Sequence, residues 1–179
     1  MNKARSQQQP GATIMPQTVR EPGALPVTHL HYRLHVPYPV DVAFKWLTDY
    51  DDGDASRAQH VLVHERRVVA RNGNVIRLEG RVGIGKGSRG SAEVRLFPPD
   101  HYVATLSDPM GRPRGTYDYR LTPADAGRAS LLTIDYAFVT PRLKHRLLVT
   151  WGAPLIRLKL RRMWGNFIAE MKKDLGPPR

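Results

Sequence analysis

The sequence predicts an α+β domain with seven strands, most of them antiparallel, a short helix after the first strand and a long helix at the C-terminus. Three observations carry this. Apolar and polar residues alternate with period two in a series of runs between residues 27 and 139. After the first helix, the runs are joined by connections too short for parallel crossovers. Beyond Pro141 the alternation gives way to a helical stripe that continues to about Leu175.

The elements follow in order. Residues 1–25 carry Gln7-Gln8-Gln9-Pro10-Gly11 and few large apolar side chains, so they are expected to form a disordered tail. In the first strand Leu30, Tyr32, Leu34 and Val36 share one face; His29, His31, Arg33 and His35 share the other. Pro37 and Pro39 end it. Val40, Ala43, Phe44 and Leu47 then recur at helical spacing, with Asp41 in the first turn. Asp49 to Asp54 close that helix in a polar loop. The run Val61–Arg71 does not alternate cleanly, and Asn72-Gly73-Asn74 after it is a hairpin signal, because Asn and Gly tolerate positive φ. Further runs contain Ile76, Leu78 and Val82; Ala92, Val94 and Leu96; Tyr102, Ala104 and Leu106; Tyr117, Tyr119 and Leu121; and Leu132, Ile134, Tyr136 and Phe138. In the last helix, a break is expected at Gly152-Ala153-Pro154, since proline lacks the backbone donor. Past it, Ile156, Leu160, Met163, Trp164, Phe167, Met171 and Leu175 form a broad apolar stripe.

Composition excludes several classes of function. The chain has 179 residues and no cysteine, so thiolate metal sites and disulfides are ruled out. No signal-peptide run opens it and no apolar stretch approaches the roughly 18 residues of a membrane span, which makes a cytoplasmic protein the expectation. The net charge is +12, and residues 141–179 hold 10 basic side chains against only Glu170 and Asp174. Such asymmetry points to an anionic surface as partner, or to a solvated basic helix face.

The run Leu34-His35-Val36-Pro37-Tyr38-Pro39-Val40-Asp41-Val42-Ala43-Phe44-Lys45-Trp46-Leu47-Thr48-Asp49 resembles the first strand, proline-led helix and closing aspartate of the START/Bet v 1-like superfamily, the polyketide cyclase and lipid transport group. Gly115-Thr116-Tyr117-Asp118-Tyr119-Arg120-Leu121-Thr122-Pro123, the Leu131–Phe138 strand and Arg161-Arg162-Met163-Trp164 agree with its closing elements. The resemblance implies a helix-grip fold over residues 26–179: a seven-stranded curved antiparallel sheet around a long kinked C-terminal helix, with a cavity between them. It implies less about function, because the superfamily includes carriers, cyclases, hydrolases and receptors.

The candidate ligand-contacting residues are Tyr32, Leu34, His64, Leu78, Val94, Tyr102, Tyr117, Tyr119, Ile134, Tyr136, Met163 and Phe167. Apolar walls with a few hydroxyl groups suit a site that buries carbon and orients one or two polar atoms. His64 and Arg66 lie on the irregular strand and are assigned to no face; pointing inward, they would be the buried polar pair that contacts a ligand or moves a proton. The other motifs fail on order or spacing. Gly83-Ile84-Gly85-Lys86-Gly87-Ser88-Arg89-Gly90 lacks the order of a phosphate loop and is expected to join two strands. Asp49, Asp51, Asp52 and Asp54 lack the spacing of a calcium loop. His29, His31 and His35 in a row along one strand lack the tetrahedral partners that zinc requires. No nucleophile elbow is present. No metal and no cofactor are expected.

Around the expected break, Leu143, Leu147, Trp151, Leu155 and Leu158 accompany Lys144, Arg146, Arg157 and Arg162. Apolar and basic residues together suit a lid, a dimer contact or an interfacial membrane face. The expected function is a binder or carrier of a lipid-like or polycyclic molecule that loads at an anionic membrane. One alternative is a cyclase or dehydratase acting on such a molecule; another is binding of RNA or an acidic partner through the basic helix. DNA is not expected as a partner, and aromatic stacking platforms for RNA are sparse.

Overall fold

Strands β1 (Val27–Val36), β2 (Val63–Asn72), β3 (Val75–Val82), β4 (Ser88–Phe97), β5 (His101–Ser107), β6 (Pro113–Ala124) and β7 (Ala129–Val139) form one antiparallel sheet in the order β1-β7-β6-β5-β4-β3-β2. Helix α1 (Val40–Thr48) follows β1, and α2 (Leu143–Leu175) closes the chain. The computed structural model describes residues 27–50, 63–82, 88–139 and 143–177, with side chains for all of these except 63, 64, 82, 88 and 143–157. The predicted tail, the loop aspartates at 51, 52 and 54, and the glycine loop 83–87 lie outside the described residues.

The long C-terminal helix runs through Gly152-Ala153-Pro154 as one element of 33 residues, so the expected break does not divide it. A missing donor removes one backbone bond, and the bonds on either side carry the helix past it. The hairpin expected at Asn72-Gly73-Asn74 is present, its turn being Gly73-Asn74 with positive φ (56°) at Gly73. Glycine at the first central position suits the handedness of a two-residue hairpin.

Residues opposed across an antiparallel pair share a face, so the register identifies the inner surface. One row reads Tyr32–Ile134–Tyr119–Tyr102–Leu96 across β1, β7, β6, β5 and β4. The next reads Leu30–Tyr136–Tyr117–Ala104–Val94–Ile76. These rows, with Ala43 and Phe44 of α1 and Leu160, Met163, Trp164 and Met171 of α2, make one hydrophobic core. At Gly80 and Gly115 neighbouring strands come so close that a Cβ would sit 2.0 Å from the Glu65 carbonyl oxygen and 2.6 Å from that of Ala137. Glycine there permits the close backbone approach of a curved sheet.

Pro39 precedes helix α1 as its N-terminal cap with φ −53°, and the first helical bond runs from the Ala43 amide to the Pro39 carbonyl at 2.9 Å. The helix buries Ala43, Phe44 and Thr48. At the far end of α2 the Tyr38 hydroxyl donates to the Gly176 carbonyl.

Candidate ligand-binding site

An aromatic layer lies between sheet and helix. Tyr102 stacks on Tyr119 with ring centroids 4.4 Å apart, and Phe44 of α1 meets Tyr102 edge-on at 6.2 Å. Tyr117 meets Tyr136 edge-on at 4.9 Å. From α2, Trp164 approaches Tyr119 at 6.3 Å and Phe167 at 5.2 Å. Offset and edge-on geometries are those that ring quadrupoles favour. The indole Nε1 of Trp164 donates to the Tyr136 hydroxyl oxygen at 3.2 Å.

Burial on this face is uneven. Tyr102, Ile134, Tyr136, Val94 and Leu78 are sealed, whereas Tyr32, Leu34, Tyr117, Tyr119, Phe138 and Phe167 are half-buried although they pack against the same core. Burial nevertheless desolvates the phenols. It pushes the Tyr117 hydroxyl up to about 12. It raises Tyr119 and Tyr102 well above the ordinary tyrosine value, and it raises Tyr32 against the pull of Arg161. Tyr136 rises too, first through burial, although donors from Trp164 and Tyr119 draw it partly back. All five phenols are therefore protonated near neutral pH and act as hydrogen-bond donors.

A cation of β2 shares this face. Arg66 opposes Gly80, in line with Val68 and Leu78, and its guanidinium carbon lies 4.7 Å from the centroid of the buried Tyr50 ring. Its positive charge also acts on Tyr102. Arg71 donates to the Tyr50 carbonyl, so two arginines of β2 bracket the residue that follows α1.

No family model matches the sequence, and no curated protein matches it in sequence. Its structure is similar to that of Zhui aromatase/cyclase from Streptomyces sp. R1128, with a TM-score of 0.66 and 12% identity over 83% of this chain and 96% of that one. The di-domain ARO/CYC StfQ from the steffimycin biosynthetic pathway aligns with a TM-score of 0.60 and 16% identity, over 84% of this chain and 53% of its own. Ara h 8.0201 aligns with a TM-score of 0.52 and 16% identity, over 80% of this chain and 99% of its own. The chain has the helix-grip fold of the START/Bet v 1-like superfamily. Identities this low establish the fold, and function has to be argued from the site.

Within this helix-grip frame the sequence-predicted residues fall as follows. Tyr32, Leu34, Leu78, Val94, Tyr102, Tyr117, Tyr119, Ile134 and Tyr136 all occupy inward register positions, and Met163 and Phe167 meet them from α2. The His64 side chain lies outside the described residues. Arg66 points inward, the half of that pair the register resolves. Sequence reasoning missed Tyr50, and it did not single out the Trp164 N–H. An indole on the apolar stripe was the available signal, because a buried Trp N–H seeks an acceptor.

The histidines of β1 face outward, where His31 pairs with Asp135 at 2.6 Å and His35 with Asp125 at 2.8 Å. Arg67–Glu79, Arg77–Glu93 and Arg95–Glu93 pairs cover the outer face of β2–β4. Among the described residues no group of three or more His, Asp or Glu could hold a metal. Of the predicted surface set, Leu158 and Arg162 are exposed on α2; the side chains of Leu143, Lys144, Arg146, Leu147, Trp151, Leu155 and Arg157 lie outside the described residues. Among the described residues, no helix is long and apolar enough to cross a membrane.

Proposed function

We propose that the protein binds a hydrophobic small molecule, polycyclic or lipid-like, between the inner face of its sheet and α2. The observation that carries this is the half-burial of Tyr32, Tyr117, Tyr119 and Phe167 on a face whose neighbouring positions are sealed. Aromatic side chains that are desolvated yet keep accessible surface suit the border of an apolar site. The three named neighbours, two of them aromatase/cyclases by name, share the fold that frames such a site.

Turnover of the ligand, of cyclase or dehydratase type, is the second reading. It is favoured by Arg66 and the protonated phenols on one face, since a phenol can give a proton to a carbonyl oxygen and a guanidinium can stabilise the charge that develops. Loading at an anionic membrane is the finer part of the proposal. It draws on exposed Leu158, which shares a helix face with exposed Arg161 and Arg162 at i+3 and i+4.

The test is native mass spectrometry of the purified protein, organic extraction of any bound molecule, and titration with the apolar dye 1-anilinonaphthalene-8-sulfonate. One bound molecule per chain, or saturable dye binding weakened by Phe167→Ala, is the expected result. No bound molecule and no saturable dye binding would overturn the proposal. Conversion of an extracted ligand by the protein, lost in Arg66→Gln, would favour the enzyme reading.

A further inference from the structure

Methionine is the side chain through which a mild oxidant can mark this protein, because cysteine is absent. Two of the described methionines, Met163 and Met171, are sealed in the core at 3% and 0% exposure. Met110 is 76% exposed, at the tip of the β5–β6 turn. That tip lies beyond the Gly115–Phe138 pair, at the end of the sheet where β7 leads into α2.

The local sequence fixes the tip. In Asp108-Pro109-Met110-Gly111 the proline suits the second turn position, and the Gly111 amide donates to the Asp108 carbonyl at 2.9 Å. The Asp108 side chain is buried and receives four bonds. Oδ1 accepts from the amides of Met110 and Arg112 at 2.9 and 3.0 Å; Oδ2 accepts from Arg112 Nε and Arg114 Nη2, both at 3.1 Å. The same Arg112 guanidinium donates through Nη2 to the Met110 sulfur at 2.8 Å. It thus joins a buried anion to an exposed thioether.

That second pairing is uneven. A thioether is a weak acceptor, whereas its sulfoxide is polar and offers an oxygen to a charged donor. The donor for the oxidised form is already in place. We propose that Met110 is a reversible oxidation site, taken by hydrogen peroxide to a sulfoxide whose oxygen accepts from Arg112. A sulfur lone pair attacks one peroxide oxygen, so an S–O bond forms and the O–O bond breaks. The second oxygen leaves as water, and sulfur loses the two electrons that the peroxide gains. The product turns an apolar tip polar. The reaction needs no bound ligand and is independent of the binding reading above.

Peroxide treatment of the folded full chain, followed by tryptic mass spectrometry, tests the site. Met110 falls in the peptide Leu96–Arg114, because the Arg112–Pro113 bond resists trypsin; Met163 and Met171 share the peptide Met163–Lys172. Met110 should gain its oxygen at least about tenfold faster than the core pair, which peroxide reaches only through opening of the fold. Methionine sulfoxide reductase should restore it without denaturant. Equal rates, or restoration only after unfolding, would overturn the site. The part played by Arg112 is read from urea midpoints of oxidised and unoxidised protein, in wild type and in Arg112→Leu. The substitution leaves Asp108 three of its four bonds. Each chain is compared with its own unoxidised form, so the lost contact cancels. Oxidation should lower the midpoint less in wild type than in Arg112→Leu, and an equal shift in both would overturn the assigned donor.

Discussion

The indole Nε1 of Trp46, in α1, donates to the Asp174 carboxylate near the end of α2 at 2.9 Å. The same ring meets Phe167 edge-on at 6.1 Å, and the buried Tyr38 just before α1 donates its hydroxyl to Gly176 just beyond α2. These contacts join the first helix to the last across 128 residues of sequence, and they dock α1 against α2 at the half-buried Phe167. Tyr38→Phe removes one of these hydrogen bonds with little change of shape. It is expected to lower stability by about 1 kcal/mol, read from the urea midpoint with an unchanged slope.

Alkaline pH should unfold the protein through its phenols. The folded-state values of Tyr102, Tyr117, Tyr119 and Tyr136 are raised, with Tyr117 at about 12, whereas in the unfolded chain each titrates near 10. Above 10 the unfolded chain loses protons that the folded one keeps, so stability is fully present below pH 10 and falls as pH rises toward 12. Absorbance of tyrosinate followed with pH should show these phenols ionising together with the loss of near-UV circular dichroism. A smooth titration of all seven tyrosines near pH 10 in a protein that stays folded would contradict this.

These residues also mark where the sequence is legible. β1 and β7 alternate visibly because one face meets α2 and the other meets water, so Leu30, Tyr32, Ile134 and Tyr136 could be assigned inward from spacing alone. β2 could not be read. Register shifts between Val63 and Glu65 and between Val68 and Ala70 break its period of two, which conceals the inward direction of Arg66. Tyr50 follows α1 at the head of an acidic loop, and nothing local marks it for burial; Arg66 and Arg71, distant in sequence, hold it. The helical stripe shows that Trp164 faces the core. It does not show which hydroxyl receives its proton, because that depends on how β7 and α2 are aligned.

Backbone conformation provides a paired test of opposite sign. Ala126 holds φ 57° and ψ 35° in the 3-10 turn Asp125–Gly127, a left-handed conformation that costs a side-chain-bearing residue about 1–2 kcal/mol. Ala126→Gly relieves that, offset by about 0.4–1 kcal/mol of added freedom in the unfolded chain, for a net gain of up to about 1.6 kcal/mol. Gly80→Ala should do the reverse. Its Cβ would lie 2.0 Å from a backbone oxygen that cannot rotate away, and the displacement of strands is expected to cost about 1–3 kcal/mol. Thermal midpoints of the two variants should move in opposite directions.

The exposed face of α2 makes the membrane part of the proposal testable. Leu158 is 49% exposed, and Lys159, Arg161 and Arg162 are exposed around it. A helix face of this kind can set its apolar residue at the headgroup boundary while its cations meet anionic lipid, each worth about 1 kcal/mol near a charged surface. Association with vesicles of phosphatidylcholine containing phosphatidylserine is expected, with none to phosphatidylcholine alone, and added salt should weaken it because exposed charges are screened. Two variants separate lipid from nucleic acid. Leu158→Ser keeps every charge, so it should impair vesicle binding and leave any affinity for single-stranded RNA intact, whereas Arg161→Gln with Arg162→Gln should weaken both. A purely electrostatic RNA contact would be indifferent to Leu158 and would show a salt slope set by the number of phosphates neutralised. Equal association with charged and neutral vesicles, or none with either, would remove membrane loading while leaving the aromatic site and its ligand untouched.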